Sequence, residues 1–301
     1  MSGRDVGASV RQRLLNQSRA QSRPFQEVLQ YFAMERFLYR LSKSPSSDRF
    51  VLKGALLLTA WRAPQSRPTI DIDLAGRTSN ELGHIEELVG AVCEVVAEPD
   101  GVEFNRASIE VSRIKEDADY EGVRVRFYAM LAKARIPMQI DIGFGDVIVP
   151  GPTEVEYPTL LDFPAPILRA YPKETVIAEK LEALTKLGLL NSRMKDYYDL
   201  ALLSRMYSFE GENLIEAIVA TFRHRGTTID VEPVGLTDAF YGDPARAIQW
   251  RAFVRRSRFT EEPGDLEKLV AEVRRFASPI LKAAIGERPF MARWQAGGPW
   301  E

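Results

Sequence analysis

The 301-residue chain holds one cysteine, Cys93, and two histidines, His84 and His224. A lone cysteine cannot build an intramolecular disulfide framework, which fits a reducing, cytoplasmic setting. Its surroundings, LVGAVCEVVA, read as a small core position rather than a nucleophile. Neither histidine has a matching ligand or nucleophile nearby, which argues against a histidine-rich zinc site and a Ser-His-Asp hydrolase. No apolar run reaches about 18 residues, so no membrane span is expected. The first residues, MSGRDVGASVRQRLLNQSRAQSR, lack the apolar core of a secretory signal. Neither sign of charge dominates: 40 Lys and Arg face 42 Asp and Glu, for a net charge of −2. A nucleic-acid partner would therefore have to meet a local basic face. What is left for chemistry is carboxylates, lysines and arginines.

Hydrophobic residues make up 45% of the chain and charged residues 27%, as in an ordinary globular protein with room for two modest domains. Apolar side chains at helical spacing run through FQEVLQYFAMERFLYRLS and stop at SKSPSS. RFVLKGALLLTAW then reads as a short strand, a Lys53-Gly54 break and a helix from Ala55. RPTIDIDLAG predicts a strand burying Ile70, Ile72 and Leu74 on one face and aiming Asp71 and Asp73 from the other. SNELGHIEELVGAVCEVVA predicts a helix capped by Ser79. IEVSRIKED, GVRVRFYAML and IPMQIDIGFGDVIV predict further strands before a proline-rich crossing from Pro150 to Pro166. From about Lys173 the pattern is helical almost to the end. The expectation is an α/β N-terminal half with a mixed sheet followed by a helical C-terminal domain, a bilobed molecule. Its parts are an N-terminal helical segment (1–45), an α/β core (46–165) and the helical domain (166–301).

Asp71 and Asp73 repel each other unless a cation lies between them, which raises the prospect of a divalent metal site. Asp141, between Ile140 and Ile142 in a strand apolar enough to be central, is costly unless paired or metal-bound. If the two strands are neighbours, three carboxylates converge, a donor set able to hold divalent cations for phosphoryl chemistry. Gly54 before a helix would let backbone N–H groups approach an anion, and Asp146, past Gly145, reads as a strand end or turn. Lys180 reads by itself as a lysine whose stem lies along an apolar helical stripe. Asp196 and Asp199 read as partners of Arg193 and Lys195 on a solvated helix surface.

As a set, LKGALLL, RPTIDIDL, IDIGFGD, YPKETVIAEKLEAL and RMKDYYDL resemble the AbiEii/AbiGii family, nucleotidyltransferase-fold toxins of type IV toxin–antitoxin pairs. The resemblance covers roughly residues 25–295. It implies a phosphate-binding first motif at Lys53, Gly54 and Ala55, with Ala55 lacking the hydroxyl often found there. It also implies a metal-binding pair in Asp71 and Asp73, with Asp141 as third carboxylate, and nucleotide contacts from Arg67 and Thr69. Lys180 would hold the triphosphate, and Asp196 is the acid of the RxKD motif. The implied activity is Mg²⁺-dependent transfer of a nucleoside monophosphate from an NTP to RNA, with two ions. The resemblance also implies the 3′ end of tRNA as acceptor and a separately encoded antitoxin as partner. Basic residues that would meet RNA are Arg223 and Arg225, then Arg251, Arg255 and Arg258, three positions on one helical face. Two other readings compete. A metal-dependent nuclease or phosphodiesterase also uses clustered aspartates, but need not hold a triphosphate. A non-catalytic nucleotide-binding module would not require the aspartates and Lys180.

Overall fold

The computed structural model describes residues 6–63, 68–116, 120–257, 259, 263–286 and 290–301. Two units emerge from its packing: the described residues up to Asp146 together with Thr153–Ala170, and Val147–Pro152 together with Tyr171 onward.

In the first unit, helix α1 (Val6–Ala20) was not foreseen, while the apolar stretches recognised above become helices α2 (Phe25–Lys43), α3 (Leu56–Ala60) and α4 (Leu82–Cys93). Its strands are β1 (Phe50–Lys53), β2 (Ile72–Gly76), β3 (Val102–Phe104), β4 (Glu110–Glu116), β5 (Tyr120–Leu131), β6 (Ala134–Phe144), β7 (Thr153–Glu156) and β8 (Ile167–Ala170). They form one sheet in the order β3-β5-β6-β2-β1-β8-β7, with β4 also paired to β5. The sheet is mixed, as expected: β2 is parallel to β6 and β1 to β8, while β1–β2, β5–β6 and β7–β8 are antiparallel. Along β6 the period of two holds from Arg135 to Ile142. Ile136, Met138, Ile140 and Ile142 are buried against the α2 side, where the Gln30 amide reaches Pro137 O at 2.8 Å. Gln139 and Asp141 lie on the opposite, half-exposed face.

Helix α2 is buried from Val28 to Leu41, although that stretch contains Glu35, Arg36 and Arg40. Each of the three side chains has a partner, as burial of a polar group demands. Arg40 forks onto Asp100 at 2.8 and 3.1 Å. Arg36 lies 2.8 Å from Glu35, which also accepts the Leu160 N–H at 2.6 Å. Cys93 is the core residue its setting suggested: burial pushes its thiol up to about 12.

Two local expectations change. Helix α4 is capped by Glu81, whose carboxylate accepts from the Gly83 and His84 N–H groups; Ser79 instead accepts from Glu81 N–H. Strand β2 begins at Ile72, so Ile70 is 71% exposed rather than buried beside Ile72 and Leu74. A residue just outside a strand is freed from its alternation.

The second unit is helical: α5 (Lys173–Leu187), α6 (Met194–Met206), α7 (Gly211–His224), α8 (Asp238–Tyr241), α9 (Pro244–Ser257) and α10 (Leu266–Ala284). A small antiparallel pair, β9 (Phe209–Glu210) with β10 (Arg293–Trp294), adds the buried Trp294, whose indole N–H donates to Ser204 O at 2.7 Å. Leu181, Leu184, Tyr197, Leu203, Phe222 and Phe276 fill the interior between α5, α6, α7 and α10. Among the described residues no helix is long and apolar enough to cross a membrane.

Candidate active site

Sheet register brings the charged residues together. Lys53 of β1 faces Asp73 of β2, Asp73 faces Asp141 of β6, and Asp141 faces Arg124 of β5. Residues paired in this way point to the same face of a sheet, so four adjoining strands carry a row reading +, −, −, +. Asp71, just before β2, joins the two central acids. One carboxylate oxygen from each of Asp71, Asp73 and Asp141 lies within 4.8 Å of the others.

Each acid is held. Asp73 lies against Gly54, whose φ is +72°; a β-carbon built on Gly54 would stand 1.9 Å from Asp73 Oδ2. Asp71 Oδ1 accepts the Thr69 hydroxyl at 2.5 Å, and Thr69 N–H donates to the Tyr31 hydroxyl at 3.1 Å. Asp141 is gripped on both oxygens by Arg124, Nε to Oδ1 at 2.8 Å and Nη2 to Oδ2 at 2.6 Å. Such two-pronged guanidinium–carboxylate pairs fix orientation as well as charge. Beside the row, Lys53 Nζ reaches Asp146 Oδ2 at 2.7 Å, and the Asp146 side chain is only 2% exposed. Asp146 is thus the buried partner of Lys53 rather than a simple turn residue.

Three half-exposed carboxylates with converging hard oxygen atoms fit a divalent cation of the Mg²⁺ type. The recess left by the missing Gly54 side chain, which Asp73 fills, belongs to the same arrangement. Glycine is required there by the carboxylate. Helix α3, which follows Ala55, has only five residues and so offers little of a helix-terminal field.

Several expected site residues land elsewhere. Thr69 is buried, and its hydroxyl is spent on Asp71. Arg67 and Arg258 lie outside the described residues. In the second unit, Lys180 Nζ of α5 bridges Asp196 Oδ1 at 2.7 Å and Asp199 Oδ2 at 2.8 Å, both on α6. The two aspartates are buried, at 5% and 2% exposure, which overturns the picture of a solvated helix surface paired with Arg193 and Lys195. Arg225 pairs with Glu179 at 2.8 Å and Glu182 at 2.9 Å, so its charge is committed within the fold. Arg223, Arg251 and Arg255 are exposed.

Sequence reasoning missed Arg124. A signal was present: β5 and β6 meet at a tight turn in which Leu131 faces Ala134. Counting back along both strands from that turn sets Arg124 opposite Asp141.

Three carboxylates thus converge on neighbouring strands of a mixed sheet, beside a strand–glycine–helix junction. Two solved structures share the fold. JHP933 from Helicobacter pylori aligns with a TM-score of 0.51 and 19% identity, over 86% of this chain and 93% of that one. A second H. pylori structure, described provisionally as a nucleotidyltransferase, aligns with a TM-score of 0.50 and 19% identity, over 86% and 96%. No curated protein matches the sequence. The model of the nucleotidyl transferase AbiEii toxins, of type IV toxin–antitoxin systems, matches residues 36–276. The chain belongs to this family of nucleotidyltransferase toxins.

Proposed function

We propose that the chain transfers a nucleoside monophosphate from an NTP to RNA, with the 3′ end of tRNA as acceptor, and that Mg²⁺ is its cation. The observation carrying this reading is the convergence of Asp71, Asp73 and Asp141 within 4.8 Å on a nucleotidyltransferase sheet. Asp71 and Asp73 would hold the cation, with Asp141 as the third carboxylate of the cluster. When bound, the cation neutralises phosphate charge and stabilises the departing pyrophosphate. The chain's own residues position and neutralise, which is most of what nucleotidyl transfer requires. A lone pair of the acceptor hydroxyl oxygen forms the bond to the α-phosphorus. The bond from that phosphorus to the bridging oxygen breaks, its electron pair leaves on pyrophosphate, and the hydroxyl proton ends on solvent.

Thr69 and Tyr31 set the rotamer of Asp71 through the short hydroxyl bond and its backbone anchor. Arg251 and Arg255, exposed and four residues apart on α9, are the residues proposed to meet RNA phosphates, with Arg223. A separately encoded antitoxin is the expected protein partner, as membership of a type IV toxin family implies.

The test is to incubate the purified chain with total RNA, Mg²⁺ and each α-labelled NTP in turn. Label entering tRNA with the wild type, and lost in Asp71→Ala and Asp73→Asn, supports transfer. RNA shortened without label would make the chain a nuclease. No change in RNA would leave a binding module.

A further inference from the structure

The sheet face that carries Asp141 continues beyond it along β5 and β6. Register sets Arg126 opposite Gln139, Tyr128 opposite Pro137 and Met130 opposite Arg135. Alternation therefore puts Arg126, Tyr128, Arg135 and Gln139 on the same face as Asp141. The reverse face is closed, because Ile136, Met138 and Ile140 are buried on the α2 side. The Asp141 face is open: Arg126, Arg135 and Pro137 are exposed, and Tyr128 and Gln139 are half-buried. Hydrogen bonds join it to the aspartates, since the Gln139 amide nitrogen lies 3.4 Å from Asp141 Oδ2 and Arg126 Nε donates to Gln139 Oε1 at 3.1 Å.

This surface has the chemistry to receive a nucleic-acid strand. The Arg135 guanidinium carbon lies 4.0 Å from the centre of the Tyr128 ring, and the Asn105 amide donates to the Tyr128 hydroxyl. A guanidinium supported on an aromatic ring is a planar cation on which an unpaired base can stack. Among the described residues neither Arg126 nor Arg135 belongs to an ion pair. Glu110, opposite Arg126 on β4, and Glu103, opposite Met130 on β3, share the face. Recognition therefore falls to two discrete cations and a stacking plane rather than to a uniform basic field. A duplex keeps its bases paired and offers none to such a plane, whereas a single-stranded end does.

We infer that the open face of β5 and β6 receives the single-stranded end of the acceptor RNA. A base stacks on Arg135 above Tyr128, Arg126 meets a phosphate, and the terminal hydroxyl lies at the aspartates, about 20 Å along β6 from Arg135. The inference rests on the reading of RNA as acceptor given above and adds contacts in the first unit to those proposed for α9.

The probe is a short fluorescently labelled single-stranded RNA with a free 3′ hydroxyl, titrated with the purified chain at several salt concentrations without NTP. Arg126→Gln is expected to weaken binding and to flatten the slope of log K against log salt by about 0.7, the share of one single-strand phosphate. Arg135→Lys keeps the charge but loses the plane, so it is expected to lower affinity several-fold with the slope unchanged. Arg113→Gln, which removes an arginine from the reverse face of the same sheet, opposite Val123, is expected to bind as the wild type does. Circular dichroism and thermal melting confirm that each variant is folded. In the transfer assay, Arg126→Gln and Arg135→Lys are expected to raise KM for RNA and leave KM for NTP unchanged. RNA bound equally by the wild type, Arg126→Gln and Arg135→Lys would overturn this inference, leave RNA as the acceptor and free the face for a protein partner. Wild-type affinity in Arg135→Lys alone would also overturn it, because Arg135 would then act as a point charge and not as a platform. A raised KM for NTP with that for RNA unchanged would give the face to the nucleotide substrate and overturn it too. Absence of RNA binding by the wild type would overturn both this inference and the reading beneath it.

Discussion

Asp73 Oδ2 occupies the space beside Gly54 where any side chain would begin, 1.9 Å from the position of a β-carbon. The glycine also adopts a φ of +72°, a left-handed conformation that L-residues rarely visit. Backbone and carboxylate therefore require the same residue for independent reasons.

Gly54→Ala is expected to fail on both counts. The left-handed backbone alone costs about 1–2 kcal/mol, and the methyl group must push the Asp73 carboxylate out of its place. The fold, held by a large apolar core, is expected to survive with a lowered melting temperature. Mn²⁺ binding is expected to weaken by at least about tenfold, equivalent to about 1.4 kcal/mol. Unchanged Mn²⁺ affinity in a folded Gly54→Ala chain would show that Asp73 does not need its recess.

Much of this arrangement was legible in the residues. Period-two alternation through PMQIDIGF and 3.6-period stripes in the second half are strong signals because burial enforces them over many residues. That kept the mixed sheet, α2 and the helical second unit in place. The convergence of Asp71, Asp73 and Asp141 followed once two strands were assumed to be neighbours. What could not be read was pairing across the sheet and between helices. Arg124 is one of two arginines in VRVRF, and only the pairing of β5 with β6 sets it opposite Asp141. Asp196 and Asp199 have cations at adjacent sequence positions, yet their partner is Lys180 on a different helix. Local charge patterns favour nearby pairs, whereas packing selects the pairs that are buried.

Lys180 sits between two buried aspartates, so its removal does more than delete a side chain. Lys180→Met leaves two like charges facing each other inside the second unit, a change that costs about 3 kcal/mol or more when one partner of a buried pair is lost. Denaturant unfolding is expected to show that loss. Combining Lys180→Met with Asp199→Asn is expected to recover a substantial part of it. Nucleotide transfer to RNA is expected to stay lost in the recovered double variant if Lys180 also serves the triphosphate. Transfer returning along with stability would leave Lys180 a purely structural residue.

The arginines of the second unit separate by what they already touch. Arg251→Gln with Arg255→Gln removes two exposed charges from α9 and is expected to weaken RNA binding. Each lost phosphate contact lowers the slope of log K against log salt by about 0.7–0.9. The double variant should therefore flatten the slope by up to about 2. Arg225→Gln is the informative contrast, because its guanidinium serves Glu179 and the buried Glu182. It is expected to lower stability while leaving the salt slope unchanged. A flattened slope for Arg225→Gln and none for the α9 pair would move the RNA contact away from α9.

Glu35 gives stability a pH dependence whose sign is opposite to that of an ordinary surface carboxylate. Desolvation in the α2 core raises its pKa from 4.5 to about 7, against the opposing pull of Arg36 and the Leu160 N–H. The folded chain therefore binds this proton over a range in which the unfolded chain has released it. Stability from protonated Glu35 is complete below pH 4.5 and declines as pH rises through about 7. At about 1.4 kcal/mol per pH unit, the decline attributable to Glu35 amounts to about 3 kcal/mol. Unfolding free energies measured from pH 4.5 to 8 on wild type and Glu35→Gln isolate it, because the other titrating groups are common to both chains. The wild-type value should fall relative to the variant as pH rises, with the difference levelling off above pH 7. A difference that grows in the wild type's favour with rising pH would mean that Glu35 is ionised in the fold and held so by Arg36.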